Sequence, residues 1–311
     1  MSLTTPLASS GDLVADRRYA WGAAARAQGD LAAAADLFAQ AAEAAPGWPA
    51  AWFALGEVRA AQGEREAALT AFRTALAADP ADRLGAGLHL ARLGAADPAT
   101  AMTPAYVAAL FDDYAPRFET ALVQRLDYRA PELIAEAVQR ACIRLDRPFR
   151  FRHMIDLGCG TGLGALPFAG AAGTIDGVDL SARMVAEARR KGLYRGLDVA
   201  DLGPWLADRP SSSADLAIAA DVFVYCADIA PVLAALARVL EPGGLAAFTC
   251  ETHGGDGTVL LPGLRYAQAR SAVQQAVTRA GLALQVIDPA TLRLEAGRPV
   301  AGLVVVACRT G

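Results

Sequence analysis

Between residues 153 and 164 the chain reads HMIDLGCGTGLG, a short apolar run that ends in a carboxylate and breaks into glycines at 158, 160 and 162. Glycine has no Cβ, so such a turn can bend tightly and bring backbone amides against a ligand. From Gly160 the string GTGLGA satisfies the dinucleotide pattern G-x-G-x-x-G/A, and Asp179 follows where an acid would hold a ribose. Against a dinucleotide stands Asp156, two residues before Gly158. A pyrophosphate is anionic, and an acid at the lip of its loop repels it, whereas an ammonium or a sulfonium is attracted.

Further along come GVDLSARMVAEAR at 177–189, VADL at 199–202, DLAIAADVFVY at 215–225 and LEPGGLAAFTCE at 240–251. In this order, behind DLGCGTG at 156–162, these segments resemble the motifs of class I S-adenosylmethionine-dependent methyltransferases. The resemblance implies that Asp156, Gly158, Cys159 and Gly160 line the cofactor, and that Asp179 and Leu180 meet its ribose. It also implies that Asp201 and Leu202 hold the adenine, and that Ala220 ends the strand beside the methyl group. FDDYAPRFE at 111–119 is similar to the lid helix of such enzymes, with Tyr114 and Phe118 covering the cofactor. With a 34-residue repeat near the N-terminus, in which Gly22, Phe38 and Pro46 recur as Gly56, Phe72 and Pro80, the lid and catalytic segments resemble bacterial tetratricopeptide-containing methyltransferases. The implied activity is EC 2.1.1.-, with S-adenosylmethionine converted to S-adenosylhomocysteine and no metal.

Methyl transfer is an in-line displacement, so the protein must align the nucleophile, exclude water and accept a proton where the acceptor carries one. Asp221, at the end of the fourth strand, His253, just after the fifth, and Tyr266 are the candidate catalytic residues, with Tyr225 beside them. Imidazole titrates near neutral pH and suits a base. Arg265 and Tyr266 could recognise a polar acceptor. Ala220-Asp221-Val222-Phe223 carries neither the Pro-Pro-aromatic signature of amino-methylating DNA enzymes nor a Pro-Cys nucleophile. A small molecule or a peptide remains as acceptor, methylated on O, N or C.

The elements that must position these residues are legible as alternating short apolar runs and helical stretches after residue 150. Strands are expected at 152–157, 174–179, 195–199, 214–220, 244–250, 282–288 and 300–308, with helices such as 181–191 and 229–240 between them. That alternation implies an α/β fold with a mostly parallel, Rossmann-like doubly wound sheet. The connection at 261–270 is expected to lead into a helix. About 104–145 reads as helical, with Pro104 and Pro131 in first-turn positions.

The N-terminal third is different. Gly22, Gly29, Ala34, Phe38, Ala41 and Pro46 recur as Gly56, Gly63, Ala68, Phe72, Ala75 and Pro80, a 34-residue period. Small residues at helix contacts, a glycine turn and an aromatic knob define a helix–turn–helix unit. The pattern resembles the tetratricopeptide repeat, with Trp52, Leu55 and Gly56 matching its first helix. The expected organisation is an all-α repeat domain at 1–100 (units near 15–48 and 49–82), a helical lid or linker at 101–150, and the methyltransferase domain at 151–311. Residues 84–94 read as one more helix. Two clear units make a shallow groove, so docking of a protein partner or self-association is expected of it.

Composition narrows the class. The chain is 311 residues long, 54% hydrophobic and carries a net charge of −4, enough apolar material for a full core. No basic stripe is present, which argues against nucleic acid. Five cysteines at 142, 159, 226, 250 and 308 show no pairing pattern and suit a reducing compartment. No apolar run is long enough to span a bilayer, and MSLTTPLASSGD lacks the features of a signal peptide. A cytoplasmic enzyme is expected. Two alternatives remain: a repeat-driven scaffold with a cofactor-binding but non-catalytic fold, and a nicotinamide enzyme.

Overall fold

The computed structural model describes residues 9–119, 128–295 and 297–310. The first eight residues of the segment read against a signal peptide, and residues 120–127 of the expected helical lid or linker, lie outside them. Contacts divide the chain into two units, 1–113 and 114–311.

The first unit holds helices α1 (Leu13–Ala27), α2 (Leu31–Ala44), α3 (Pro49–Ala61), α4 (Arg65–Ala78), α5 (Ala86–Arg92) and α6 (Pro104–Tyr114), except that Tyr114, the last residue of α6, belongs to the second unit. Local chemistry sets the helix ends. Asp12 accepts the amides of Val14 and Ala15, and Asp30 accepts that of Ala33, caps contributing about 1 kcal/mol each. The 34-residue period has a packing cause. A Cβ on Gly22 would stand 3.0 Å from the Phe38 ring, and one on Gly56 only 2.7 Å from the Phe72 ring. Each glycine thus lets the paired helices close on one aromatic knob. His89 of α5 stacks on Phe72 with ring centroids 4.7 Å apart, and burial lowers its pKa to about 4, so it is a neutral core residue.

In the second unit, helix α7 (Ala130–Arg144) precedes strands β1 (Phe151–Leu157), β2 (Ala172–Asp179), β3 (Gly196–Val199), β4 (Ala214–Ala219), β5 (Leu240–His253), β6 (Thr258–Leu260), β7 (Tyr266–Ala269), β8 (Leu282–Glu295) and β9 (Arg298–Arg309). Helices α8 (Ala182–Arg190), α9 (Leu202–Ala207), α10 (Ala230–Val239) and α11 (Arg270–Arg279) connect them. The sheet runs β3-β2-β1-β4-β5 in parallel, and β9 joins β5 antiparallel with β8 beyond it. All seven expected strands are present. The sequence reading missed β6 and β7: residues 266–269, taken as part of a lead-in to a helix, form a strand parallel to β5.

Strand alternation divides the core. Met154, Leu216, Leu245 and Val304 pack with Ile134, Val138 and Ala141 of α7. Ile155, Ala217, Ala246 and Val305 face the opposite way, with Leu233 and Leu236 of α10 and Val273 and Val277 of α11. With both faces covered, these strands read as continuous apolar runs. The polar exceptions Asp156, Thr249 and Glu251 share parity with Met154 and Leu245, and all three are buried. They therefore line the α7 side.

Candidate active site

The chain winds in opposite directions on either side of β1, which lies between β2 and β4. The crevice outside the carboxyl ends of such strands is the usual ligand position of a doubly wound sheet. Asp156 is the penultimate residue of β1, and the glycine turn follows at once. Gly158 has φ +59°, and a Cβ there would stand 2.6 Å from Val222, so the turn reaches the segment after β4 only because the side chain is missing.

Asp179 ends β2. Its carboxylate accepts the Gly160 amide at 2.9 Å and the Ser181 amide at 2.8 Å, tying β2 to the glycine turn. Asp156 is buried and accepts the Tyr194 hydroxyl at 2.7 Å. Burial pushes its carboxyl up to about 7, with Asp179 adding repulsion and the Tyr194 bond opposing. Cys159 is buried, and its thiol is pushed well up by desolvation. Leu180 follows Asp179 half-buried. Asp201 accepts the Gly203 amide at 3.0 Å and so caps α9, whose first residue is Leu202.

Tyr114 and Phe118 pack edge to face with centroids 5.5 Å apart. The Phe118 ring comes within 3.9 Å of where a Gly160 Cβ would be. The two aromatics and the glycine turn are thus brought together.

The three candidate catalytic residues are not clustered as free groups. Asp221 follows Ala220 at the end of β4 with φ +56°, a strained conformation for a residue with a side chain. Its amide donates to Thr249 Oγ1 at 2.9 Å, Thr249 donates to Oδ1 at 3.2 Å, and Arg293 donates to Oδ2 at 2.8 Å. Burial raises the Asp221 pKa despite the pull of Arg293. His253 ends β5, where Nδ1 accepts the Gly255 amide at 3.1 Å and Nε2 lies 3.2 Å from the Gly257 carbonyl. Together those bonds require the Nε2–H tautomer, and both ring nitrogens serve the loop. Tyr266 is fully buried on β7. His153, near the start of β1, lies between the Ser213 carbonyl (2.7 Å) and Asp176 (3.1 Å).

Sequence reasoning missed a charged ladder. Arg293 of β8 bonds both Asp221 and Glu251. Arg265 bonds Glu251 at 2.7 Å and also pairs with Glu295. Burial alone would weaken the Arg293 charge, but its two carboxylates raise its pKa further. The signal was present in part: Thr249 and Glu251 interrupt an apolar strand two residues apart. Tyr128 was also missed; burial raises its phenol well above the ordinary value, with Asp221 and Asp156 contributing. Because β9 and β4 flank β5 on opposite edges, β7 continues the β4 edge past the point where β4 ends. The β6–β7 hairpin thereby stands beside Asp221.

Residues 155–248 match a family model described as a methyltransferase domain, and residues 25–93 match one described as a tetratricopeptide repeat. The chain therefore carries a Rossmann-like methyltransferase domain preceded by tetratricopeptide repeats. It is similar to the aklanonic acid methyltransferase of Streptomyces sp. (strain C5), 31% identical over 116 residues, 35% of this chain and 53% of that protein. It is also similar to the ubiquinone biosynthesis O-methyltransferase of Chelativorans sp. (strain BNC1), 32% identical over 105 residues, 33% of this chain and 41% of that one. The chain spans about half the length of the curated relatives it matches. Its fold is shared with the magnesium protoporphyrin IX methyltransferase of Synechocystis PCC 6803, solved with bound SAH: TM-score 0.50, 19% identity, 67% of this chain and 99% of that one.

Proposed function

We propose that the protein is an S-adenosylmethionine-dependent methyltransferase acting on a small molecule, with oxygen as the favoured acceptor atom. The observation that carries this reading is the convergence of two carboxylates on one glycine turn: Asp156 at the end of β1, and Asp179 at the end of β2 bonded to Gly160. The donor set fits the cofactor. A buried carboxylate attracts an ammonium, and a strand-end carboxylate accepts the hydroxyls of a diol. When bound, the cofactor supplies an electrophilic methyl group. Asp156 and Asp179 orient its two ends, Leu180 lies beside the ribose, Asp201 and Leu202 border the base, and Tyr114 and Phe118 keep water from the turn.

The O-methyltransferase name borne by a curated relative favours oxygen. The engagement of the candidate bases supports an acceptor that needs little help to ionise. His253 is committed to its loop, Tyr266 is buried, and Asp221 is paired with Arg293. Asp221 then acts by shaping the acceptor side of the crevice, and His253 and Tyr266 by holding the β5–β7 segment. A carboxylic acid or an acidic phenol meets this requirement. The repeats are proposed to dock a protein partner or a second copy, and peptide acceptors fall within that role. Among the described residues no helix is long and apolar enough to cross a membrane. The five free thiols suit a reducing, cytoplasmic setting.

Calorimetric titration with S-adenosylmethionine, S-adenosylhomocysteine and NAD tests the reading. Binding of the first two alone is expected. Binding of NAD alone would move the assignment to a nicotinamide enzyme. Binding of none would favour a repeat-driven scaffold whose methyltransferase fold is inert, and binding without methyl transfer from labelled S-adenosylmethionine would favour the cofactor-binding scaffold.

A further inference from the structure

Lys191 is the only lysine in a chain that uses arginine for every other basic side chain apart from histidine. It stands at the C-cap of α8, and its stem packs on the glycine turn, with Cδ 3.3 Å from where a Gly162 Cβ would lie. Its ammonium pairs with Glu119, the residue after Phe118. Three residues on, Tyr194 donates to Asp156 and packs against the same Gly162. One short loop thus touches the glycine turn, the strand-end carboxylate and the lid segment.

We propose that Lys191 is a positioning residue whose ion pair with Glu119 latches the Tyr114–Phe118 pair over the glycine turn and slows release of the bound cofactor. The proposal rests on the methyltransferase reading. An ammonium on a flexible stem suits the task, since it can follow Glu119 as a point charge without the fixed fork geometry of a guanidinium. Partial burial raises the Glu119 carboxyl, but the bonds from Lys191 and Thr161 and the charge of Lys191 together outweigh it and lower its pKa, which keeps it ionised. The pair is partly exposed, with side-chain exposures of 22% and 43%, which puts its effect in the range of a modest surface ion pair rather than a structural keystone.

The test is stopped-flow release of S-adenosylhomocysteine, joined to amide hydrogen exchange over residues 114–119. Lys191→Met and Glu119→Gln are each expected to speed release about threefold to fivefold, to raise exchange in that segment, and not to add when combined. Lys191→Arg is expected to retain most of the effect. Exchanging the charges, Glu119→Lys with Lys191→Glu, is expected to restore slow release at least in part. Unchanged release and exchange in both single variants, or single effects that simply add, would overturn the latch. Should the wild-type protein bind no S-adenosylhomocysteine, the methyltransferase reading falls, and unchanged exchange in the Lys191→Met protein would overturn the latch separately.

Discussion

The Asp179 carboxylate accepts the Gly160 amide at 2.9 Å, so the end of β2 and the turn leaving β1 are held as one piece. The residue proposed to bind the ribose is therefore also a structural tie.

Replacing Asp179 tests both roles. Asp179→Ala is expected to weaken S-adenosylmethionine binding at least about tenfold, through loss of the ribose contact and of the two amides it orders. Asp179→Asn keeps one carbonyl acceptor and should lie between. Calorimetric titration reads the effect, and an unchanged Kd in the alanine variant would remove Asp179 from the site.

Asp156 predicts a pH dependence. Burial raises its folded pKa from 3.8 to about 7, so the folded protein keeps a proton that the unfolded chain releases. Its contribution to stability is greatest below about pH 4 and declines as pH rises toward 7. The cofactor ammonium favours the ionised form, so affinity should rise with pH across roughly 5.5 to 7.5, with proton release on binding. Titrations in buffers of different ionisation enthalpy measure that proton. Asp156→Asn should bind weakly and without the pH trend; a trend that survives the substitution assigns it to another group.

Arg293→Met leaves Asp221 and Glu251 buried without their shared cation. Breaking a buried pair by removing one partner costs about 3–5 kcal/mol. Chemical denaturation should show a loss of that order, partly recovered when Glu251→Gln is added. A variant as stable as the parent would mean that water or Arg265 compensates the two acids.

His253 separates a base from a loop anchor. With both ring nitrogens on backbone groups of its own turn, His253→Ala should change kcat less than about threefold. General-base catalysis typically contributes about 10²–10⁴-fold. A loss of that size, together with a titration near neutral pH that disappears in the variant, would restore His253 as the base.

Several features were legible because neighbours in sequence carry them. The glycine turn, the strand-end acids Asp156 and Asp179 and the Gly56–Phe72 spacing of the repeat all express local geometry that residue types dictate. The β6–β7 hairpin was not legible. Its strands are only three and four residues long, and Tyr266 lies between turn residues and a helix, so neither has enough alternation to read.

The charged ladder lay further out of reach. Asp221, Glu251, Arg265 and Arg293 come from four separate segments, and an ion pair leaves no periodic trace in a chain. From the order and spacing of its residues alone, the sequence determined a helical repeat followed by a parallel α/β sheet with a cofactor turn at its first strand. Only the tertiary structure decided which polar groups are free to act. That depends on the bonds each side chain finds after burial: His253 closes on its own loop, Asp221 meets Arg293, and Lys191 meets Glu119.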